Sequence, residues 1–79
     1  MELKILGGGC ANCKKLLNFT EQAVKELAVD ADVLYITDMI EITNSGLLRT
    51  PGLIIDGKIV SSGRVPSVSE IKKFIEELL

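Results

Sequence analysis

Two cysteines carry the reactive chemistry of this sequence. Cys10 and Cys13 are the only cysteines among its 79 residues, and they lie three residues apart where a run of three glycines meets a helical pattern. Residues three apart in the first turn of a helix share one face, so their sulfur atoms lie close enough to form a disulfide. This spacing at a helix start predicts dithiol–disulfide exchange.

The position of each cysteine on the helix predicts a different role for each sulfur. Cys10 lies at or beside the N-cap, where unpaired N–H groups and the positive end of the helix dipole stabilise a thiolate. Cys13 lies one turn further in, enclosed by the helix and the sheet. We therefore predict that Cys10 is the nucleophile and that Cys13 is the resolving thiol, which breaks the mixed disulfide.

Metal binding is the main alternative for this pair. Two thiolates can hold Cu(I), or half of a zinc or iron–sulfur site shared between two chains. The sequence contains no histidine and no third cysteine, so it does not complete a soft four-ligand cage alone. We predict no metal and no cofactor beyond the Cys10–Cys13 pair. The pair has two other interpretations. It could be a redox sensor, or the cysteines could serve only as buried apolar residues.

Three polar residues beside the cysteines are predicted to modulate them. Lys14 and Lys15 fall in the first helical turn, where the helix dipole disfavours basic side chains. They either stabilise the Cys10 thiolate and attract anionic partners, or they form an ordinary solvated face. Asn12 lies between the two cysteines, and we predict that it modulates them as the lysines do.

Hydrophobic periodicity predicts the elements that position these residues. Residues 2–6 alternate Leu3 and Ile5 against polar neighbours and Leu6, as in a strand. A capping-box pattern begins at Asp38 and another at Ser67. The predicted strands span 2–6, 31–37, 53–55 and 58–61, and the predicted helices span 11–27, 38–46 and 67–78. Asp56-Gly57 between the last two strands is a strong hairpin signal.

The element order β-α-β-α-β-β-α predicts an α/β fold in one domain. A β-α-β unit requires a right-handed crossover and a parallel strand pair. If the third strand runs antiparallel to the first, three loops meet at one edge of the sheet, where open α/β sheets place their sites. These loops are Gly9-Cys10, Thr50-Pro51 and Gly63-Arg64. Arg49 and Arg64 flank this edge as possible contacts for a substrate carboxylate.

Charge and composition exclude other classes of function. The net charge is −2 and only three residues are aromatic, so the sequence offers neither the basic surface nor the stacking platform of a nucleic-acid-binding protein. No apolar run approaches the roughly 18 residues of a membrane helix. The N-terminal residues lack the pattern of a signal peptide. We therefore expect a cytoplasmic protein, and in that compartment paired cysteines are typical of catalysis or metal binding.

Together these motifs resemble the minimal thioredoxin fold of glutaredoxin size, and most closely the small thioredoxin-like proteins often labelled redox-active disulfide proteins. The C-x-x-C at a helix start, Thr50-Pro51 and Asp56-Gly57-Lys58 carry the resemblance, which extends from Leu3 to about Leu78. It implies a four-stranded mixed sheet in the order 2-1-3-4 with three helices, in a single domain over residues 1–79.

The resemblance also implies an activity and its partners. The family consists of thiol–disulfide oxidoreductases, so we expect exchange with protein disulfides, most directly their reduction, and a thioredoxin-reductase-type electron donor. Pro51 is implied to be cis and to pack against the disulfide, while the Thr50 backbone pairs with the substrate chain as an added strand. Gly63 completes the predicted substrate-binding residues.

Two motifs depart from the larger members of this group. Thioredoxins usually have tryptophan before the first cysteine and Gly-Pro between the two, where this sequence has Gly9 and Ala11-Asn12. Glutaredoxins usually have a Gly-Gly-x-Asp-type glutathione site after the last strand, where this sequence has Ser62-Gly63-Arg64. The usual glutathione-docking groups therefore do not carry over.

Overall fold

The computed structural model describes all residues from 1 to 79. It contains four strands and three helices in the predicted order. The strands are β1 (Glu2–Leu6), β2 (Asp32–Ile36), β3 (Gly52–Ile55) and β4 (Lys58–Ser62), and the helices are α1 (Ala11–Leu27), α2 (Met39–Asn44) and α3 (Val68–Glu77). None of the three helices combines the length and the apolar composition that a membrane span requires.

The four strands form one mixed sheet in the order β2-β1-β3-β4. β1 is parallel to β2 and antiparallel to β3, and β4 is antiparallel to β3. The central pair places Leu6 opposite Gly52, so the end of β1 adjoins the start of β3. The predicted α/β class and the 2-1-3-4 strand order are confirmed.

The β3–β4 hairpin turns at the predicted residues. Asp56 and Gly57 both have positive φ, at 48° and 84°, as a two-residue type I′ turn requires. Asp56 also ties this turn to β1, because its N–H donates to the Glu2 carbonyl at 2.8 Å and its Oδ1 accepts from the Glu2 N–H at 2.7 Å. The turn therefore fixes both the hairpin and its alignment with β1.

Buried apolar side chains form two clusters, one on each face of the sheet. The larger cluster lies on the face covered by α1 and α3, and its buried members are Leu3, Ile5, Leu16, Ala23, Leu53, Ile55, Ile71 and Ile75. A second cluster contains Leu6, Ile42, Leu47 and Ile54. Leu6, which follows two polar residues on its face of β1, is 1% exposed because Ile42 of α2 packs against it.

α2 and α3 begin at the side-chain caps that the sequence patterns predict, Asp38 and Ser67. At α3, Ser67 Oγ accepts from the Glu70 N–H at 3.1 Å, and the Glu70 carboxylate accepts from the Ser67 N–H at 3.3 Å. This reciprocal pair is the predicted capping box. At α2, Asp38 Oδ1 accepts from the N–H of Ile40 at 3.1 Å, one residue earlier than the Asp38–Glu41 spacing predicts.

Candidate active site

The site begins where β1 turns into α1. The Gly7 N–H donates to the Ile36 carbonyl at 3.0 Å, which continues the β1–β2 pairing one residue past the strand. Gly9 has a φ of 88°, a backbone conformation that favours glycine. This turn delivers the chain to Cys10, which is the N-cap of α1 with φ −68° and ψ 166°.

Cys10 and Cys13 are joined by a disulfide, with their Cα atoms 5.0 Å apart. Cys10 Sγ also accepts from the Cys13 N–H at 3.1 Å, so the first sulfur satisfies one of the unpaired donors at the helix start. Cys10 is exposed, whereas Cys13 is 0% exposed. Only one of the two sulfurs is therefore open to a second protein.

The peptide bond between Thr50 and Pro51 is cis, the geometry that the family resemblance implies. Pro51 is buried immediately before β3, and Thr50 is exposed. A Cβ placed on Gly7 would lie 3.9 Å from the Pro51 Cα and would also meet Cys13. Gly7 is therefore the point at which the cysteine pair and the cis-proline segment approach each other.

Gly63 brings the third loop to the same edge of the sheet. Its N–H donates to the Pro51 carbonyl at 2.9 Å, and its φ is 75°. A Cβ at Gly63 would lie 3.0 Å from the Cβ of Arg49. Ser62 Oγ donates to the Arg49 carbonyl at 3.3 Å. The three loops that the sequence predicts to converge are thus brought together.

The charged residues around this edge have different surroundings. Lys14 and Lys15 are exposed in the first turn of α1, which contains no acidic residue. Lys15 Nζ lies 5.6 Å from the centroid of the Phe19 ring, within the range of a cation–π contact. Lys15 therefore has a contact of its own on the surface of α1.

Of the two arginines predicted to flank the site, Arg64 is already paired. Its guanidinium donates to both carboxylate oxygens of Glu70, at 2.9 and 3.4 Å. Hydrogen bonds from Arg64 and from the Ser67 backbone hold the pKa of the Glu70 carboxyl below its usual value. Arg64 thus anchors the start of α3.

The other arginine, Arg49, is exposed, and so is Asn12 between the cysteines.

Sequence reasoning missed the part played by Gly7. The sequence shows three consecutive glycines before Cys10, and nothing in it distinguishes one from another. In the structure, a Cβ on Gly7 would overlap Cys13 Sγ, while a Cβ on Gly8 would meet nothing within 4 Å. No local signal separates two adjacent glycines, because the difference arises from the position of the Cys13 sulfur in the folded protein.

Comparisons with known proteins agree with this geometry. A family model described as a thioredoxin domain matches residues 1–76. A thioredoxin of Methanothermobacter thermautotrophicus is 45% identical over 75 residues, which cover 95% of this chain and 97% of that protein. A thioredoxin of Methanocaldococcus jannaschii is 38% identical over 77 residues, which cover 98% and 88%. The chain belongs to the thioredoxin family.

Membership of the thioredoxin family confirms the class of chemistry predicted from the cysteine spacing. The chain is a thiol–disulfide oxidoreductase, and thioredoxins act through a redox-active disulfide without a cofactor. The C-x-x-C motif of this chain forms a disulfide, Cys10–Cys13. The 79 residues bring no three His, Cys, Asp or Glu side chains together as a metal site.

Proposed function

We propose that this protein reduces disulfides in other proteins, with Cys10 as the attacking thiol and Cys13 as the resolving thiol. The difference in exposure between the two cysteines supports these roles. A substrate disulfide can approach the exposed Cys10, while the buried Cys13 can reach only its neighbour. A resolving thiol shielded from solvent is also protected from exchange with other disulfides.

The proposed reaction transfers two electrons to the substrate in two exchange steps. The Cys10 thiolate attacks one sulfur of the substrate disulfide, which forms a mixed disulfide and releases the first substrate thiolate. The Cys13 thiolate then attacks Cys10 Sγ, which releases the second substrate thiolate and forms the Cys10–Cys13 disulfide. Protons from solvent complete the two substrate thiols.

The start of α1 stabilises the attacking thiolate in this scheme. The Cys13 N–H donates to Cys10 Sγ at 3.1 Å, and a hydrogen bond to a charged acceptor is stronger than one to a neutral acceptor. The positive end of the helix dipole adds to this effect. The reactive form of Cys10 is therefore favoured without a basic side chain.

Substrate binding is assigned to Thr50, Pro51 and Gly63. Thr50 is exposed and lies outside the paired part of β3, so its backbone groups are open to an added strand. The Pro51 Cα would lie 3.9 Å from a Cβ placed on Gly7, beside Cys13, and the Gly63 N–H donates to the Pro51 carbonyl at 2.9 Å. Leu48, 93% exposed in the same segment, offers apolar surface to a substrate chain.

We place this reaction in the cytoplasm, with a reductase as electron donor. A protein that reduces disulfides repeatedly needs its own disulfide reduced after each cycle, and reducing compartments supply that electron flow. Asn12 and Lys14 are exposed beside Cys10 and are proposed to modulate exchange, together with Lys15. They border the surface on which a substrate or reductase would dock.

Catalysed reduction of insulin, with dithiothreitol as electron donor, tests this function. We expect many turnovers per protein molecule and a rate well above that of dithiothreitol alone. A reduction potential of about −270 mV or below would agree with a reductant, whereas a value of about −120 mV would mark an oxidant.

Two results would contradict the proposal. A single stoichiometric exchange without turnover would indicate a redox sensor. Stoichiometric copper or zinc that is retained through anaerobic purification, and lost in Cys13→Ser, would indicate a metal-binding module.

A further inference from the structure

The buried sulfur of Cys13 occupies space that a side chain at position 7 would otherwise fill. Gly7 is buried immediately after β1. A Cβ at this position would overlap Cys13 Sγ and would lie 3.0 Å from the Cys13 Cβ. No positive φ requires glycine here, since the positive-φ glycine of the run is Gly9. The close approach to Cys13 is what requires a residue without a side chain.

We propose that Gly7 is a positioning residue for the disulfide, one that sets the equilibrium between the disulfide and the dithiol. This inference rests on the proposed function, because it takes Cys13 as the resolving thiol that closes the disulfide. Gly7 allows Cys13 Sγ to lie against the end of β1, within bonding distance of Cys10. A larger residue would compete with the sulfur for that space.

The competition differs between the two redox states. In the disulfide, Cys13 Sγ is bonded to Cys10 and has no other rotamer available. In the dithiol, no bond to Cys10 fixes the Cys13 side chain, so its Sγ can move away from position 7 toward another staggered position. A methyl group at position 7 therefore disfavours the disulfide more than the dithiol.

Gly7→Ala and Gly8→Ala form a matched pair for the test. A Cβ on Gly8 meets nothing within 4 Å, and both substitutions restrict the unfolded chain equally. Each variant is equilibrated with reduced and oxidised dithiothreitol. Two electrons and two protons pass to the protein, the Cys10–Cys13 bond breaks, and dithiothreitol closes to its cyclic disulfide.

We expect Gly7→Ala to shift this equilibrium toward the dithiol by about tenfold, which is about 30 mV for a two-electron couple. Gly8→Ala should match the unsubstituted protein. An unchanged equilibrium in Gly7→Ala, with both redox forms destabilised alike, would overturn the proposal, because a purely structural glycine would act on the two states equally.

A measurement in a Cys13→Ala background keeps the test decisive if Gly7→Ala alone fails to fold. Cys13→Ala removes the sulfur that the new methyl group would overlap. Gly7→Ala should then cost less stability in the Cys13→Ala background than in the oxidised protein, and an equal cost would refute the role. The dithiothreitol equilibrium contains no protein substrate, so failure of insulin reduction would count against the proposed function alone.

Discussion

Replacement of Cys10 by serine is expected to abolish catalysed protein-disulfide reduction. The turnover rate, corrected for the rate with dithiothreitol alone, should fall at least about a thousandfold. The serine hydroxyl does not ionise at neutral pH and forms no mixed disulfide. Cys13 cannot take over the attack, because it is 0% exposed in the folded protein. Turnover of insulin by Cys10→Ser and by the unsubstituted protein measures this effect.

The same substitution carries its own control for folding. Serine is a favourable N-cap residue, and its oxygen can accept from the Cys13 N–H as the Cys10 sulfur does. The thermal stability of Cys10→Ser should therefore equal or exceed that of the reduced protein. Undiminished turnover in a folded Cys10→Ser variant would show that Cys10 is not the attacking thiol.

The largest expected effect on stability comes from the cluster beneath α1 and α3. Ile55 lies in β3, one of the two central strands of the sheet, and is 0% exposed. Ile55→Ala removes buried apolar volume and leaves a cavity, which lowers the free energy of unfolding by about 2–5 kcal/mol. A small protein has only about 5–15 kcal/mol in total, so this variant should unfold at a much lower urea concentration.

Ile40→Ala is the matched control for this loss. Ile40 lies in the first turn of α2 and is 73% exposed, so the same truncation should change the free energy of unfolding by no more than about 0.5 kcal/mol. Both variants are measured as the disulfide form by urea denaturation. Equal urea midpoints for the two variants would contradict the assignment of Ile55 to the main core.

Local patterns were sufficient to predict most of the secondary structure. Alternation in residues 2–6, the Asp56-Gly57 turn and the Ser67–Glu70 capping box each depend on groups close together in the chain. The position of the cysteine pair at a helix start followed from the same kind of signal. Such features persist in the fold because the energies that favour them involve few distant residues.

Features that depend on distant packing were not predictable in the same way. Leu6 shares a face of β1 with two polar residues, and its burial depends on Ile42, which is 36 residues away in sequence. The sequence suggests Arg64 as a substrate contact, but the fold places it against Glu70. The strand order and the cis Thr50–Pro51 bond were expected from family resemblance rather than from periodicity.

Capture of the mixed disulfide tests the central claim most directly. Cys13→Ser lacks the resolving thiol, so reaction with a protein disulfide should stop at a covalent adduct that dithiothreitol releases. Mass spectrometry of the digested adduct identifies the linked cysteine. The account predicts an adduct through Cys10 in Cys13→Ser and none in Cys10→Ser. An adduct through Cys13 in Cys10→Ser, with none in Cys13→Ser, would contradict it.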